Sequence, residues 1–568
     1  MKNIIFIILL FQALLSASSI SHEALSASIK AGISTHATGH FKNSVKSLYE
    51  KNGYKSLWVG DNGAQQFSEL LDALGDPLLN YKYKQFNQDN IINLSFEIDN
   101  GSYAENQLPS ALAKLDILIT QSYLKLIYFV RVGDVDWALV KRKLKNLKAS
   151  QDIHAAWEIK PRSMPSAASI VASIENATVH SFLISQIPQE NQYRSLISLL
   201  EKYQNMPKFS KIGYGKILKP RRSDSRIRQI KKLLQFTGDF PRSSSTGTGY
   251  SGDLTRAIRS FKERFNLSKG DYIDNKVINY LNTTKEEYVK KILTNLDILK
   301  LYPKRFASNH VQVNIPEFKL RYYQNGGLAF QSDIIVGRID RPTPLFSDKI
   351  KYMVLNPTWT ITDNLVKRDL IPVLRKNPNY LQEHDIHVFT SYKKNAPEVK
   401  LNLEKLFSYE HSKKAVPYRF VQFPSDQNAL GRVKFMFPNK YAVYLHDTDN
   451  KSLFKYRYRV YSSGCMRVQK PYDFMYSLLD NAGSSYSSSQ IQNIFDTSKT
   501  TTIKLKKHIP VHMLYQSVRQ ENGKAYFFYD VYMYDQIVWE STAGHKKSTF
   551  RVPDKRLTNI KRSGARIR

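Results

Sequence analysis

Tyr461-Ser462-Ser463-Gly464-Cys465-Met466-Arg467-Val468 holds the one cysteine in a chain of 568 residues. The nearest histidine upstream stands in Tyr444-Leu445-His446-Asp447-Thr448. Residues 442–445 read as a strand and Cys465 opens the next element. A short hairpin would then set thiol and imidazole facing each other across a sheet. An ordinary thiol has a pKa of about 8.5 and needs an adjacent base or positive charge to react as thiolate. His446 is the candidate base, and a third group must hold its tautomer. Asp447 could do so through its side-chain or its backbone oxygen. Gly464 permits a tight turn before the nucleophile. The amides of Gly464 and Cys465 could then point at a developing oxyanion, each worth about 3 kcal/mol in comparable sites. This equipment suits covalent acyl transfer through a thioester, resolved by water or by an amine. A lone cysteine can equally be structural, and a histidine before Asp-Thr can cap a turn.

Compartment sharpens the point. Met1-Lys2-Asn3 is followed by an apolar run over residues 4–15, broken only by Gln12, and then by Ser16-Ala17-Ser18-Ser19. That is the pattern of a signal peptide at 1–19. The run falls short of the ~20 apolar residues a membrane helix needs, although an uncleaved anchor is the alternative. Exported proteins normally pair their thiols, so an unpaired one suggests reactivity. Lys and Arg number 84 against 49 Asp and Glu, a formal net charge of +35. Such a field attracts polyanions. With an export signal, nucleic acid is not the expected partner. A carboxylate-rich cell wall or an anionic membrane surface is, unless the charge only aids solubility. The basic tail at 541–568, which includes Lys546, Arg551 and Arg568, has few large apolar residues and reads as disordered.

Three units emerge along the chain. Residues 24–220 read as a helical scaffold. Leu112, Leu115, Ile119, Leu126 and Val130 recur at helical spacing over 111–132, and Gly133-Asp134 ends that helix. Residues 67–74 fit a shorter helix. The second unit, 224–283, has three apolar stripes: Ile227 to Leu234; Leu254, Ala257, Ile258, Phe261 and Phe265; then Val277, Ile278 and Leu281. Thr284 and Glu287 form a capping box that opens a linking helix through Leu299. The third unit, 308–537, is strand-rich over 311–315, 320–324, 334–337, 352–356, 433–437, 442–445, 511–515 and 525–534. Asn325-Gly326 is a strong hairpin signal. Alternation fails over 356–420, where helix-like pieces such as 366–375 and charged stretches suggest a functional insert.

These residues also carry a resemblance. His446, a spacer of fifteen, then Ser462-Ser463-Gly464-Cys465-Met466-Arg467 resembles the signature of L,D-transpeptidases with a YkuD-type catalytic domain. One departure is that the family's usual second histidine is Ser463 here, a variant familiar in its long, multidomain periplasmic branch. The chain is similar to that branch at Tyr322-Tyr323-Gln324-Asn325-Gly326, Val336-Gly337-Arg338, Arg341-Pro342-Thr343-Pro344, Asn356-Pro357-Thr358-Trp359 and Leu430-Gly431-Arg432. Further upstream, Leu57-Trp58-Val59 and Leu115-Asp116-Ile117-Leu118 resemble its scaffold. The 224–283 unit resembles a small peptidoglycan-binding module, with Lys262 in place of the usual glutamine and Asp274 in place of a glycine.

The resemblance implies a multidomain α+β fold: a helical scaffold, a three-helix peptidoglycan-binding-like module and a β-rich catalytic domain whose 356–420 insert caps the site. It implies that Cys465 attacks a stem tetrapeptide, releases D-alanine and forms a 3→3 cross-link to a neighbouring stem, with His446 moving protons. Tyr444, Trp359, Arg467, Ser462 and Ser463 would line or shape the pocket. Stem peptides and glycan strands are the implied partners, carbapenem-type lactams the implied inhibitors, and the location periplasmic or wall-associated. No metal or cofactor is expected, since the thirteen histidines lack zinc spacing and His508 and His512 have no nearby cysteine. An L,D-carboxypeptidase trimming tetrapeptide to tripeptide, or a silent wall-binding protein, remain the alternatives.

Overall fold

The computed structural model describes residues 20–60 and 63–542. The expected signal peptide at 1–19 and all but the first two residues of the basic tail lie outside the described residues. The fold is mixed α+β, with a helical N-terminal region and a β-rich C-terminal one. No described helix is long and apolar enough to cross a membrane.

The helical region is organised by α1 (Leu108–Val132), whose residues are buried on nearly every side. At its heart lies a carboxylate. Asp116 accepts hydrogen bonds from the hydroxyls of Tyr49 and Ser56 and from the amides of Trp58 (2.8 Å), Val59 (3.0 Å) and Leu57 (3.2 Å). Trp58 Nε1 donates to Thr120 Oγ1 one turn along α1 at 2.9 Å. The two upstream motifs, Leu57-Trp58-Val59 and Leu115-Asp116-Ile117-Leu118, are therefore halves of one structural joint. Asp116→Ala would strand the buried amides of Leu57 and Trp58, while Val59 N keeps Ser56 Oγ at 3.0 Å, and is expected to destabilise this region by about 3 kcal/mol, read as an earlier unfolding transition by calorimetry. An unchanged transition would show the joint to be dispensable. Gly133 ends α1 at φ +84°, where a Cβ would lie 2.5 Å from Asp297 Oδ1, so glycine is required by both backbone and space.

The next unit contains α2 (Arg226–Thr237), α3 (Gly252–Arg264) and α4 (Asn275–Leu281), which bury the three predicted stripes. The two departures noted in this segment have local explanations. Lys262 is buried, donates to the Gly270 carbonyl at 2.9 Å and lies 4.0 Å from the Tyr272 ring centroid. Asp274 is the N-cap of α4, accepting from Val277 N at 2.9 Å. The linking helix α5 (Lys285–Leu299) starts with the predicted capping box of Thr284 and Glu287. Its far end joins both halves of the molecule. Asp297 accepts from Tyr81 (2.8 Å) and Lys82 (2.9 Å) of the helical region, while Asn295 Oδ1 accepts from Ser517 N (2.8 Å) in the sheet region.

The β-rich region is built on a nine-stranded mixed sheet in the order β10-β3-β11-β9-β8-β4-β12-β1-β2. Its strands are β1 (His310–Asn314), β2 (Lys319–Gln324), β3 (Gly327–Gly337), β4 (Ser347–Leu355), β8 (Val433–Met436), β9 (Leu445–His446), β10 (Val460–Ser462), β11 (Met466–Val468) and β12 (Thr501–Leu514). A further pairing of β2 with β3 closes the row back on its second strand, with β10 outside the closure. Asn325 and Gly326 both have positive φ, 52° and 82°, as a two-residue hairpin turn needs. α6 (Pro471–Ala482) packs Phe474 against Phe435 and Phe330 of the sheet.

Several expectations are corrected here. The 356–420 insert is not strandless: β5 (Trp359–Ile361), β6 (Ile386–Phe389) and β7 (Arg419–Gln422) form an antiparallel sheet in the order β5-β7-β6. It has its own core, which includes Ile361, Val366, Leu370, Leu406 and Phe420. Strands of three and four residues are too short to show alternation. Within 366–375 the predicted helix is π-wound over Val366–Leu370, just before Pro372, which has no N–H to continue the regular ladder. The expected strand at 525–534 stops at Phe527. Its stem pairs as β13 (Val518–Glu521) with β14 (Lys524–Phe527), and α7 (Tyr534–Trp539) follows. Asp530 Oδ2 accepts from Gln536 N at 3.1 Å, and burial of the aromatic run overrides its strand preference. The strand at 442–445 shrinks to β9, because Ala442 is left-handed at φ 52° and Asn439 bridges to the Val443 carbonyl at 2.8 Å.

Candidate active site

β9 is flanked by β8 and β11, and register puts charge around its histidine. His446 lies opposite Lys434 of β8 and opposite Arg467 of β11. In-register neighbours share a face, so one imidazole sits between two cations. β9 and β11 run parallel, and the chain passes through β10 between them; the expected short hairpin is instead a crossover. Parallel neighbours cannot be joined by a tight turn.

Cys465 immediately precedes β11. Gly464 adopts φ +118°, a conformation that favours glycine, and its carbonyl accepts from Thr343 Oγ1 at 2.9 Å. Ser462 closes the turn: its hydroxyl donates to the Cys465 carbonyl at 2.5 Å and accepts from Gly464 N at 3.2 Å. The Gly464 amide is thus engaged within the turn and not free for an oxyanion. The Cys465 amide has no hydrogen-bond partner among the described residues.

Electrostatics keeps both the thiol and the imidazole neutral at rest. Cys465 retains some solvent access, yet desolvation around its sulfur dominates and pushes the thiol above its ordinary value. The Tyr444 amide and hydroxyl and the charges of Lys434 and Arg467 oppose that shift. Burial, then Arg467 and Lys434, drives His446 down to about 3. Its Nδ1 lies buried without an aligned partner, although the carbonyls of Asp447 and Leu430 face the ring closely enough to favour the protonated form. Tyr444 completes the cluster: its ring is 5.6 Å from that of His446, and Lys434 Nζ lies 3.9 Å from its centroid. Lys434→Met removes a charge that favours thiolate, so the pH at which Cys465 becomes reactive to iodoacetamide is expected to rise. With one cysteine in the chain, labelling reports on that thiol alone. An unmoved profile would show that Lys434 does not act on it.

The other predicted residues are distributed as follows. The Asp447 carboxylate does not face His446: it accepts from Arg432 N at 3.0 Å and pairs with Lys451. Gly431, at φ +60°, makes room for it, since a Cβ there would lie 2.3 Å from Asp447 Oδ2. Of the two oxygens left open by the sequence, the backbone one is at the imidazole. Arg467 is buried and donates to Thr448 Oγ1 at 3.3 Å. Trp359 is in β5 and packs against the insert's core, so its bearing on the thiol is through the insert. Ser463, where the family usually has histidine, accepts from Arg341 Nη1 at 3.0 Å. Arg341 Nη2 in turn donates to Asp369 Oδ1 of the π-wound segment at 2.5 Å, and Arg338 reaches the same carboxylate at 3.1 Å. The insert is therefore fastened to the Cys465 turn through Arg341.

Lys434, Arg338, Arg341 and Asp369 were not assigned roles from the sequence. Lys434 left a signal, an isolated lysine between Val433 and Phe435 in a strand adjoining the histidine strand. Arg341 and Asp369 meet only in three dimensions.

Comparison with known proteins identifies the domains that carry these residues. Residues 308–548 match the family model for the YkuD L,D-transpeptidase catalytic domain, and residues 43–200 match a model described as a scaffold domain. Residues 308–548 are thus an L,D-transpeptidase catalytic domain of the YkuD family, carried behind that scaffold. A Haemophilus influenzae protein named "Putative L,D-transpeptidase" is 33% identical over 260 residues, 46% of this chain and 51% of its own length. The chain thus spans about half the length of that relative. Two solved structures are similar only at low scores. A fused zinc-dependent amidase, peptidase and peptidoglycan-binding domain protein from Clostridium acetobutylicum has a TM-score of 0.14 at 10% identity, over 52% of this chain and 99% of that one. The Ldtfm–avibactam carbamoyl enzyme has a TM-score of 0.16 at 12% identity, over 66% and 98%. At those scores neither bears on the fold.

Proposed function

We propose that the protein is an exported peptidoglycan L,D-transpeptidase that forms 3→3 cross-links through a Cys465 thioester. The observation that carries this reading is the placement of Cys465 at the head of β11, beside the histidine strand, with His446 held neutral between Lys434 and Arg467. A neutral imidazole can accept a proton, and the cations favour the negative charge that develops at sulfur. Cys465 Sγ bonds to the carbonyl carbon between the L-centre and the terminal D-residue while its proton passes to His446. Collapse of the adduct breaks the C–N bond, and the proton leaves on the amine of D-alanine. The amine of a neighbouring stem then attacks the thioester, gives its proton through His446 and returns the thiol. Tyr444 and Arg467 shape the pocket from the sheet, Ser462 and Ser463 hold the turn, and the insert that bears Trp359 covers the acceptor side.

The net positive charge suits a carboxylate-rich wall. Mass spectrometry of products after incubation with purified disaccharide-tetrapeptide tests the reading. A dimer that has lost one D-alanine is expected. Tripeptide monomer alone would make the protein an L,D-carboxypeptidase, and unchanged substrate would contradict both.

A further inference from the structure

Between the three-helix unit and the catalytic sheet lies a cavity of about 970 Å³ that the reaction at Cys465 does not use. One wall is Tyr214 with Asn275, Asn279 and Tyr280 of α4; the other is Tyr456, Arg457 and Tyr458, which lead into β10, and Tyr461 within it. The walls are tied together by Asn266 Nδ2, which donates to the Arg457 carbonyl at 3.1 Å. Tyr214 and Tyr456 are 55% and 47% exposed, and Lys455 Nζ lies over the Tyr456 ring at 5.2 Å from its centroid. Both are also held in place. Tyr214 donates its hydroxyl to Asn279 Oδ1, and Tyr456 packs edge-on to Tyr461 at 6.2 Å.

The lining chemistry narrows the occupant. Aromatic faces carry negative charge density, and the C–H face of a pyranose ring presents the matching weakly positive surface. The amides of Asn275 and Asn279 can pair with ring hydroxyl and acetamido groups, which an apolar ligand would leave unsatisfied. No acidic side chain lines the cavity, while Lys276 and Arg457 do, which complements a polymer whose side branches end in carboxylates. Two cations are too few for the continuous positive groove that a single-stranded nucleic acid requires. The catalytic wall is also the approach to the nucleophile, since Tyr461 immediately precedes Ser462 of the Cys465 turn.

We infer that this cavity is a saccharide site that holds an N-acetylated glycan strand while its stem peptide reaches Cys465. The orientation toward the thiol rests on the transpeptidase reading; the saccharide site itself does not. The test is titration of the full chain with glycan strands stripped of their peptides, followed calorimetrically, with a single-stranded oligonucleotide in parallel. Wild type is expected to bind the stripped glycan in preference to the oligonucleotide. Tyr456→Ala and Tyr214→Ala should each weaken glycan binding about tenfold or more, and Tyr456→Phe, which keeps the ring, should stay within about twofold of wild type. No glycan binding by wild type, unchanged affinity in both alanine variants, or preference for the oligonucleotide would overturn the inference. Acylation of Cys465 by a lactam is a separate readout of the catalytic reading, so the failure of one is distinguishable from the failure of the other.

Discussion

Cys465→Ala should reduce turnover by about 10³-fold or more while leaving the fold intact. The sulfur is the only thiol in the chain, so no second thiol can take over. Its removal leaves the supports of the turn in place: Ser462 binds the Cys465 backbone carbonyl and not its side chain, and Thr343 holds the Gly464 carbonyl. A change of one partly exposed side-chain atom is expected to alter stability by less than about 1 kcal/mol. Activity by product analysis and melting by calorimetry should therefore separate cleanly. Residual activity near the wild-type level would remove Cys465 from the mechanism.

His446→Gln should lower turnover by about 10²- to 10⁴-fold, the usual weight of a positioned general base. The same change should make the protein more resistant to acid. Burial and the flanking cations bring His446 from 6.5 to about 3, so between those pH values the unfolded chain takes up a proton that the folded chain refuses. Stability from this residue is complete above 6.5 and is lost as pH falls toward 3. Glutamine cannot take up that proton, so the variant's denaturation midpoint should fall less steeply over this window. Wild-type turnover should accordingly show no acid limb near 6.5 from this base. An acid limb at that pH which vanishes in His446→Gln would show that the imidazole is not held neutral.

The YkuD domain is legible because its motif residues lie close together in sequence. His446 and Cys465 are separated by a fixed spacer, and the Asn325-Gly326 turn and the Thr284 capping box are set by neighbouring residues. What escaped the sequence depends on tertiary placement. Whether Asp447 offered carboxylate or carbonyl was decided by Arg432, Lys451 and the room made by Gly431. The role of Lys434 follows from a sheet register that no single segment encodes. The 525–534 run has strand composition throughout, yet only its first part finds a pairing partner, and the remainder turns into the buried start of α7. The insert's sheet was missed because each of its strands is shorter than the window over which alternation can be read.

The most direct test of the account is intact-mass spectrometry of the wild-type protein after incubation with a carbapenem, followed by peptide mapping. Attack by Cys465 opens the lactam, breaking its C–N bond and forming a thioester with no leaving group. The account predicts a single adduct of the full drug mass, located on the peptide that contains Cys465 and absent from Cys465→Ala. An unmodified protein, or an adduct on any other residue, would contradict it.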